Sequence, residues 1–225
     1  MKLFKKDYQQ DRTHLLILGL PRSGTSILAS LIGAHSNVSL ICEDFGRSWI
    51  DAIGKPVVGN KLCVPRQIDM DRKRNMGVKL LNRVGLLKLW PKSMLSIEDY
   101  LEIDNLKLIL IRRELSDVRN SMGNRDMVTL PTFKGEVKTE EISEEEIEYT
   151  IEKGSQILSQ LEQRDNAFTI SFDELINQTE PTLQTLCDFI GVSYEEQMIE
   201  EGPRWNWVYP EISAKGIDKS KAGKK

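Results

Sequence analysis

The segment at residues 14–35, HLLILGLPRSGTSILASLIGAH, constrains the fold more than any other part of this chain. It opens with a short apolar run at residues 15–18, and a turn bounded by Gly19 and Gly24 follows. Beyond the turn, apolar side chains recur at the spacing of one helix face: Ile27, Leu28, Leu31 and Ile32. The pattern predicts a buried strand, a loop of phosphate size and a helix. The glycines and the helix N-terminus can together bind an anion.

The loop after this strand carries a basic residue. Read as G-x-x-x-x-G, it resembles the P-loop of nucleotide-triphosphate enzymes, but Thr25 stands where that motif has lysine, and Arg22 is the nearest cation. The residues P-R-S-G-T-S at 21–26 resemble the 5′-phosphosulfate loop of sulfotransferases, which are structural relatives of P-loop kinases. An ordinary tight turn before a helix is the alternative.

Length and charge favour one globular domain. The 225 residues suffice for a single core, and we expect one domain over 1–225, with a loose lead-in at 1–13 and a basic tail from about 211 to 225. With 31 Lys and Arg against 34 Asp and Glu, the net charge of −3 gives no global field that would attract nucleic acid or an anionic membrane. Neither is expected as a partner, and the oligomeric state is left open.

Targeting and metal-binding signals are not evident. The basic N-terminus is not followed by an apolar h-region, and no stretch has the length of a membrane span, which predicts a cytoplasmic protein. The three cysteines, Cys42, Cys63 and Cys187, are scattered and odd in number. We therefore expect reduced thiols rather than a disulfide framework or a zinc site.

Strands and helices alternate along the rest of the chain. Apolar runs predict strands at residues 37–42, 76–81, 105–111 and 167–171, and helical periodicity predicts helices near 84–89, 116–122, 141–161 and 179–190. Residues 45–75 are expected to be less regular because of interrupting residues: Gly54, Pro56, Gly59 and Pro65. In the last helix Thr179 is the expected N-cap and Gly191 the stop. This order predicts an α/β sandwich around a parallel sheet.

A second motif follows the strand at 105–111. Sulfotransferases carry R-D-P-x-D-x-x-x-S here, and this chain matches at Arg113, Asp117 and Ser121, with Glu114 and Leu115 in place of Asp and Pro. Because Ser121 lies eight residues beyond Arg113, a guanidinium and a hydroxyl can close on one phosphate. In the family this pair holds the 3′-phosphate of the donor, 3′-phosphoadenosine 5′-phosphosulfate (PAPS), and the resemblance implies the same here. An ordinary Arg cap and a helix-surface Ser are the alternative.

A third match lies within residues 168–191. The segments F-T-I-S-F-D-E-L and C-D-F-I-G are similar to the family's late S-Y-E-D-L and L-C-x-F-L-G segments, with Phe172 in the place of Tyr. That place lies near the adenine in relatives, so Phe172 could stack on the base, and core packing is the alternative. The three motifs resemble PAPS-dependent sulfotransferases, in the style of the protein-tyrosine and bacterial branches. This resemblance implies a P-loop-type three-layer α/β sandwich, with a central parallel sheet flanked by helices.

The same resemblance implies which residues hold the donor. Arg22 is a catalytic cation in this scheme. The phosphosulfate is surrounded by the N–H groups of Ser23, Gly24 and Thr25 and by the hydroxyls of Thr25 and Ser26. Lys79, in G-V-K-L-L, resembles the second basic residue of the protein-tyrosine branch, and a lysine inside an apolar strand must snorkel or pair. No metal is expected.

A carboxylate is the favoured general base. The two histidines, His14 and His35, fall outside the mid-chain place where cytosolic sulfotransferases keep a catalytic His, and ordinary surface or capping roles are expected for them. Glu43 follows a predicted strand, at the sheet edge where α/β sites form, and its distance from Arg22 is similar to that of the catalytic Glu in the protein-tyrosine branch. Asp44 is the second choice, and a solvated Glu–Asp turn is the structural alternative.

The expected function is transfer of a sulfuryl group from PAPS to a hydroxyl or amine, with 3′-phosphoadenosine 5′-phosphate (PAP) as the product. The acceptor is a small molecule, a glycan or a peptide, and the sequence does not choose among them. A P-loop small-molecule kinase and a non-catalytic nucleotide-binding module on the same fold are the alternatives. The basic tail at residues 215–221 faintly resembles a family segment that clamps the 3′-phosphate, and whether it touches that phosphate is left open.

Overall fold

A five-stranded parallel sheet forms the centre of the molecule. The computed structural model describes residues 12–43, 55–68, 96–123, 127–128, 139–140 and 142–202. The sheet strands are β1 (Thr13–Gly19), β2 (Val38–Cys42), β3 (Val57–Cys63), β4 (Leu106–Arg112) and β7 (Ala167–Ser171), in the order β2-β3-β1-β4-β7. Two further strands, β5 (Met127–Val128) and β6 (Thr139–Glu140), form a separate antiparallel ladder. The predicted central parallel sheet is confirmed.

Helices cover both faces of this sheet. They are α1 (Thr25–Gly33), α2 (Ile97–Leu101), α3 (Leu115–Gly123), α4 (Glu144–Leu161), α5 (Phe172–Asn177), α6 (Thr179–Ile190) and α7 (Gln197–Glu200). Serines cap three of them at the N-terminus through their side chains: Ser96, Ser143 and Ser171. Among the described residues, no helix is long and apolar enough to cross a membrane.

Alternating side chains of β1 divide the core into two layers. Leu16 and Leu18 pack with residues of α2, α3 and α4 on one face, while Leu15 and Ile17 pack with residues of α1, α5 and α6 on the other. Because both faces are covered, the strand is a continuous apolar run rather than an alternating one. This explains why a strand at residues 15–18 could be predicted from the sequence alone.

Strand β3 corrects the sequence-based expectation for residues 45–75. Val57–Cys63 lies between β1 and β2, although Gly59, Asn60 and Lys61 hide its strand pattern. A Cβ on Gly59 would lie 2.8 Å from the Leu15 carbonyl oxygen, so the neighbouring strand requires glycine here. The predicted strand at 76–81 and the helix near 84–89 lie outside the described residues.

The last predicted helix has the expected bounds but a different N-cap. Helix α6 runs from Thr179 to Ile190 and ends at Gly191, whose φ of 89° is the left-handed conformation of a glycine stop. Its N-cap is Gln178, and the Thr179 hydroxyl donates to the Ile176 carbonyl oxygen at 3.3 Å. The expectation that Thr179 is the cap is therefore wrong. It fails because α5 ends directly before α6 and provides the carbonyl that the threonine hydroxyl binds.

The strand order of the sheet indicates where a ligand can bind. Strands β2 and β3 lie on one side of β1, and strands β4 and β7 lie on the other. The carboxyl ends of these parallel strands lie along a common edge, and α/β proteins bind ligands where the strand order reverses. The glycine loop at the end of β1 lies at this reversal.

Candidate active site

The glycine loop, residues 19–24, turns tightly between β1 and α1. The Ser23 backbone N–H and hydroxyl both donate to the Leu20 carbonyl oxygen, at 3.1 and 2.7 Å. Arg22 and Gly24 adopt positive φ values of 70° and 99°, and Gly24 is the N-cap of α1. The first N–H groups of α1 have no partner within the helix, and they face the loop with the positive end of the helix dipole. The backbone is therefore shaped to receive an anion.

Ser23, in this loop, and Thr25, directly after it, are both buried, and the Thr25 hydroxyl is one of the two predicted to surround the phosphosulfate. Ser23 hydrogen-bonds to Leu20, as described above, and Thr25 Oγ1 lies 3.6 Å from Cys63 Sγ at the end of β3. Their contacts stabilise the loop and join it to the adjacent strand. Ser26, one residue into α1, is half-buried.

Three predicted donor-binding residues form one group, which we call the arginine cluster: Arg22, Arg113 and Ser121. Arg22 Nε donates to Ser121 Oγ at 3.0 Å, and Arg113 Nη1 donates to the Arg22 carbonyl oxygen at 3.1 Å. The loop after β1 and the motif after β4 are therefore contiguous. Burial lowers the pKa of Arg113, Asp117 opposes this, and the nearby Arg22 lowers it further. The cluster thus contains two guanidinium groups of like charge, and a bound phosphate would offset their repulsion.

Phe172 packs against the Arg113 guanidinium group of this cluster. The Arg113 guanidinium lies 4.5 Å from the centroid of the Phe172 ring, in a cation–π contact. The ring is 2% exposed and belongs to the core layer that contains α1 and α6. A Cβ on Gly24 would clash with the same ring. Core packing therefore describes the observed environment of Phe172, and stacking on adenine stays a prediction.

An ion pair between Lys61 and Glu43 lies at the ends of β3 and β2. Lys61 Nζ donates to Glu43 Oε1 at 2.7 Å, and the Glu43 backbone N–H donates to the Lys61 carbonyl oxygen at 2.8 Å. The lysine side chain is 1% exposed and the glutamate side chain 36% exposed. Glu43 has a φ of 63°, in the left-handed region. The pair therefore combines an enclosed cation with a carboxylate that solvent can reach.

Opposing effects set the protonation of this pair. Burial raises the pKa of Glu43, but the Lys61 charge and hydrogen bonds from Lys61 and Gln67 outweigh it, so the net pKa lies below the ordinary value. Burial lowers the pKa of Lys61, and the acidic groups of Cys63, Glu43 and Cys42 reverse this to a net rise. Both shifts favour the charged forms, so the pair is ionic at neutral pH.

Comparison with known proteins identifies the family. A family model described as "Sulfotransferase domain" matches residues 12–205. The chain belongs to the sulfotransferase family. The fold of this sulfotransferase is similar to that of the "Sulfotransferase Domain from the Curacin Biosynthetic Pathway", with a TM-score of 0.52 and 18% identity, covering 94% of this chain and 89% of that one.

A second solved structure has a similar fold. It is mouse sulfotransferase SULT7A1 complexed with PAP, with a TM-score of 0.51 and 11% identity, covering 90% of this chain and 66% of that one. No curated protein sequence matches this chain significantly. The sequence-based identification of the family and of its P-loop-type fold is confirmed by the family match and the two similar folds.

Lys79, predicted as the second basic residue of the site, lies outside the described residues. Asp44, the second choice for the base, also lies outside them. Lys61 is the residue that sequence reasoning missed. The rule applied to Lys79, that a lysine inside an apolar strand must pair, selects Lys61 equally well once β3 is recognised. Gly59 and Asn60 hid that strand, and with it the signal.

The two histidines of the sulfotransferase have structural roles. His14 and His35 are 7% and 3% exposed, so of the expected surface or capping roles the surface role is excluded for both. His14 Nδ1 lies 2.8 Å from the Asp104 carbonyl oxygen, and His35 Nε2 lies 2.7 Å from the Ser193 carbonyl oxygen. His14 ties the exposed residue Asp104 to β1, and His35 ties the exposed residue Ser193 to the segment that follows α1. Within the described ranges, no group of three or more His, Cys, Asp and Glu side chains could hold a metal ion.

Proposed function

We propose that this sulfotransferase moves the sulfuryl group of PAPS to an acceptor hydroxyl or amine, with Glu43 as the general base. The observation that carries this proposal is the 2.7 Å contact between Lys61 Nζ and Glu43 Oε1 at the carboxyl ends of neighbouring strands. Cys63, two residues beyond Lys61, contacts Thr25, the first residue of α1, which directly follows the glycine loop. The pair is therefore one strand away from the loop proposed to hold the phosphosulfate.

The donor set fits a nucleotide that carries two phosphate positions. The glycine loop offers helix N–H groups for the 5′ side, with contributions from Ser23, Gly24, Thr25 and Ser26. Arg113 and Ser121 offer a planar cation and a hydroxyl for the 3′-phosphate. Arg22 contacts Ser121 and belongs to the loop, so one side chain links the two positions. The two arginines of this contiguous cluster are the feature that best matches a phosphate.

Each charged side chain of the Lys61–Glu43 pair has a proposed task. When bound, PAPS supplies the sulfuryl group and a phosphate leaving group. Glu43 accepts the proton from the attacking hydroxyl or amine, and its partial exposure leaves room for an acceptor. Lys61 and Arg22 provide positive charge where negative charge develops on the sulfuryl oxygens and the leaving phosphate. Small molecules, glycans and peptides are all acceptors of the required chemistry.

Binding and transfer measurements test this proposal. At 100 to 1,000 times its dissociation constant a ligand stabilises a protein by roughly 3–4 kcal/mol, so PAP should raise the melting temperature and ATP–Mg²⁺ should not. Stabilisation by ATP–Mg²⁺ alone would favour the kinase. Labelled PAPS is then incubated with a panel of phenols, sugars, tyrosine peptides and amines. PAP binding without transfer to any of them would favour the non-catalytic module.

The Glu43→Gln variant tests the base. It should lower turnover on the best acceptor of the panel by ~10²–10⁴-fold while PAP affinity stays the same. Glu152→Gln, at an exposed position on α4, is the matched control and should leave turnover unchanged. Undiminished transfer by Glu43→Gln would remove Glu43 from this role.

A further inference from the structure

Arg22 connects the glycine loop to α3. Its Nε donates to Ser121 Oγ at 3.0 Å, although the two residues are 99 positions apart in the chain. Both residues are half-buried, so the bond is partly shielded from water and is stronger than it would be in solution. The glycine loop is proposed to hold the 5′ side of PAPS, and Ser121 is proposed to hold the 3′-phosphate. A residue of the first position therefore contacts the second.

The backbone around Arg22 is held in an uncommon conformation. Arg22 has a φ of 70°, in the left-handed region that residues other than glycine rarely adopt. Such a conformation persists only where the surrounding structure determines it. Here the Ser23 N–H donates to the Leu20 carbonyl oxygen and closes the turn. Arg113 Nη1 donates to the Arg22 carbonyl oxygen at 3.1 Å. The Arg22 side chain therefore starts from a fixed backbone.

Chemistry fixes the direction of the bond between Arg22 and Ser121. The Nε–H of an arginine can only donate, so Ser121 Oγ is the acceptor. This bond does not use the hydroxyl proton of Ser121, which the oxygen can donate to another acceptor. A hydroxyl that accepts from a cation is polarised, and it becomes a stronger donor itself. A phosphate oxygen is the acceptor that matches such a donor best.

Arg113 approaches the same position from the end of β4. Its guanidinium group lies 4.5 Å from the centroid of the Phe172 ring, which holds the plane of the group. Three separate elements therefore contribute to the arginine cluster: the glycine loop, the residue that follows β4, and α3. Donors that are fixed from three sides can distinguish where on a nucleotide a phosphate lies, and not only that it is negatively charged.

We propose that Arg22 is a positioning residue for the 3′-phosphate, which orients the Ser121 hydroxyl so that the site prefers a phosphate on the 3′ carbon of the ribose to one on the 2′ carbon. This inference rests on the proposed function, in which Arg113 and Ser121 hold that phosphate. It gives Arg22 a role in the choice of donor in addition to the positive charge that it provides near the sulfuryl group. The two isomeric nucleotides carry the same charge, so only directed bonds can separate them.

Three nucleotides measure this preference. PAP and adenosine 2′,5′-bisphosphate have the same atoms and charge and differ only in the ribose carbon that carries the second phosphate. Adenosine 5′-monophosphate lacks the second phosphate and reports binding at the 5′ side alone. Calorimetric titration of the full chain with each nucleotide gives the three dissociation constants. We expect the wild-type protein to bind PAP about tenfold more tightly than the 2′ isomer, or better, as for a hydrogen bond to a charged group.

Arg22→Lys is the decisive variant. Lysine keeps the positive charge, but its Cε methylene takes the place of Nε, so the donor to Ser121 is lost at that position. We expect the preference for PAP over the 2′ isomer to fall roughly tenfold, while the affinity for adenosine 5′-monophosphate stays the same. Ser121→Ala should lower the preference by a similar factor. The double variant should lose no more than either single variant, because the two side chains act as one unit.

Arg119→Met is the matched control. Arg119 lies on α3 close to Ser121 in the sequence, is exposed, and pairs with Glu148 of α4. Its replacement removes one positive charge near the cluster and should leave the preference unchanged. Arg22→Met removes both the charge and the Nε donor, and it should lower the preference as much as Arg22→Lys does. Ser121→Ala, a small truncation, gives the answer even where a variant of the strained Arg22 does not fold.

The outcomes separate the inference from the function on which it rests. A wild-type preference that persists in folded Arg22→Lys, or additive losses in the double variant, overturns the positioning role alone. A preference that falls equally in Arg119→Met overturns it too, because general charge would then be the cause. Wild-type protein that binds none of the nucleotides, or all three equally, overturns the proposed donor site and this inference with it. A joint loss in Arg22→Lys and Ser121→Ala, with unchanged affinity for adenosine 5′-monophosphate, supports the inference.

Discussion

The arginine cluster and the Lys61–Glu43 pair lie at the same edge of the sheet but organise charge in opposite ways. In the cluster, Arg113 Nη1 donates to the Arg22 carbonyl oxygen, and Arg113 Nε lies 3.8 Å from Asp117 Oδ2. In the pair, a buried ammonium contacts a carboxylate at 2.7 Å. The cluster is cationic, whereas the pair is internally neutral.

This difference matches two different tasks in sulfuryl transfer. A surplus of fixed positive charge suits an anion whose charge does not change during the reaction, such as the 3′-phosphate. A neutral pair with a lowered glutamate pKa suits a step in which a proton moves, because Glu43 stays ionised and Lys61 can follow the developing charge. The cluster is therefore expected to control affinity and the pair to control rate.

The largest expected effect separates rate from affinity. Lys61→Met should lower kcat by ~10²–10³-fold, because a charge donor to the transition state is lost, with little change in PAP affinity. Arg113→Met should weaken PAP binding by roughly 10–100-fold, as for a lost hydrogen bond to a charged group, with a smaller effect on kcat. Calorimetric titration with PAP and turnover on the best acceptor measure the two effects. Equal loss of affinity in both variants would erase the distinction.

The next effect concerns the stability of the pair. Glu43→Ala removes the carboxylate from an ammonium group that is 1% exposed. This variant should lower the unfolding free energy by about 2–3 kcal/mol. The loss lies at or below the low end of the range for buried ion pairs because water reaches Glu43. Lys61→Met leaves a more exposed carboxylate and should cost less. The double variant should recover part of the loss in urea unfolding. Strict additivity would show that the two groups do not interact.

The pH dependence of this coupling follows from the two pKa shifts. Because folding lowers the pKa of Glu43, its contribution to the unfolding free energy is fully present above the ordinary glutamate pKa. This contribution is lost as pH falls through the lower pKa of Glu43 in the folded state. Because the pKa of Lys61 is raised, its contribution is lost only as pH rises through the higher folded value. The coupling energy should therefore be constant near neutral pH and decrease at both extremes.

The smallest expected effect concerns the glycine loop beside the arginine cluster. Gly24→Ala places a Cβ against the Phe172 ring at a φ of 99°, and it should cost about 1–3 kcal/mol of stability and weaken PAP binding. Gly33→Ala, at the end of the same helix, meets only Leu40 Cβ at 3.6 Å and should be neutral or stabilising by up to ~1 kcal/mol. Thermal unfolding with and without PAP compares the two variants. Equal melting temperatures and equal stabilisation by PAP in both would contradict the role assigned to the loop.

Local patterns were enough to predict the elements whose sequence and environment agree. The apolar run of β1, the glycine loop and the motif around Arg113 and Ser121 could be found because each is short and periodic or carries a fixed spacing. Strand β3 could not, because its Gly59, Asn60 and Lys61 have low strand preference and are stabilised there by their neighbours. The same region therefore held both the missed strand and the missed lysine.

The sequence by itself determined the family, the parallel α/β sheet and the residues of the arginine cluster, since each is marked by an apolar run or a motif that is short along the chain. Only the tertiary structure decided that Lys61 pairs with Glu43. The physical reason is that this contact depends on which strands are neighbours in the sheet, and the sequence of β3 carries no pattern that marks it as the neighbour of β2. Their proximity is a property of the sheet order, which no local pattern encodes.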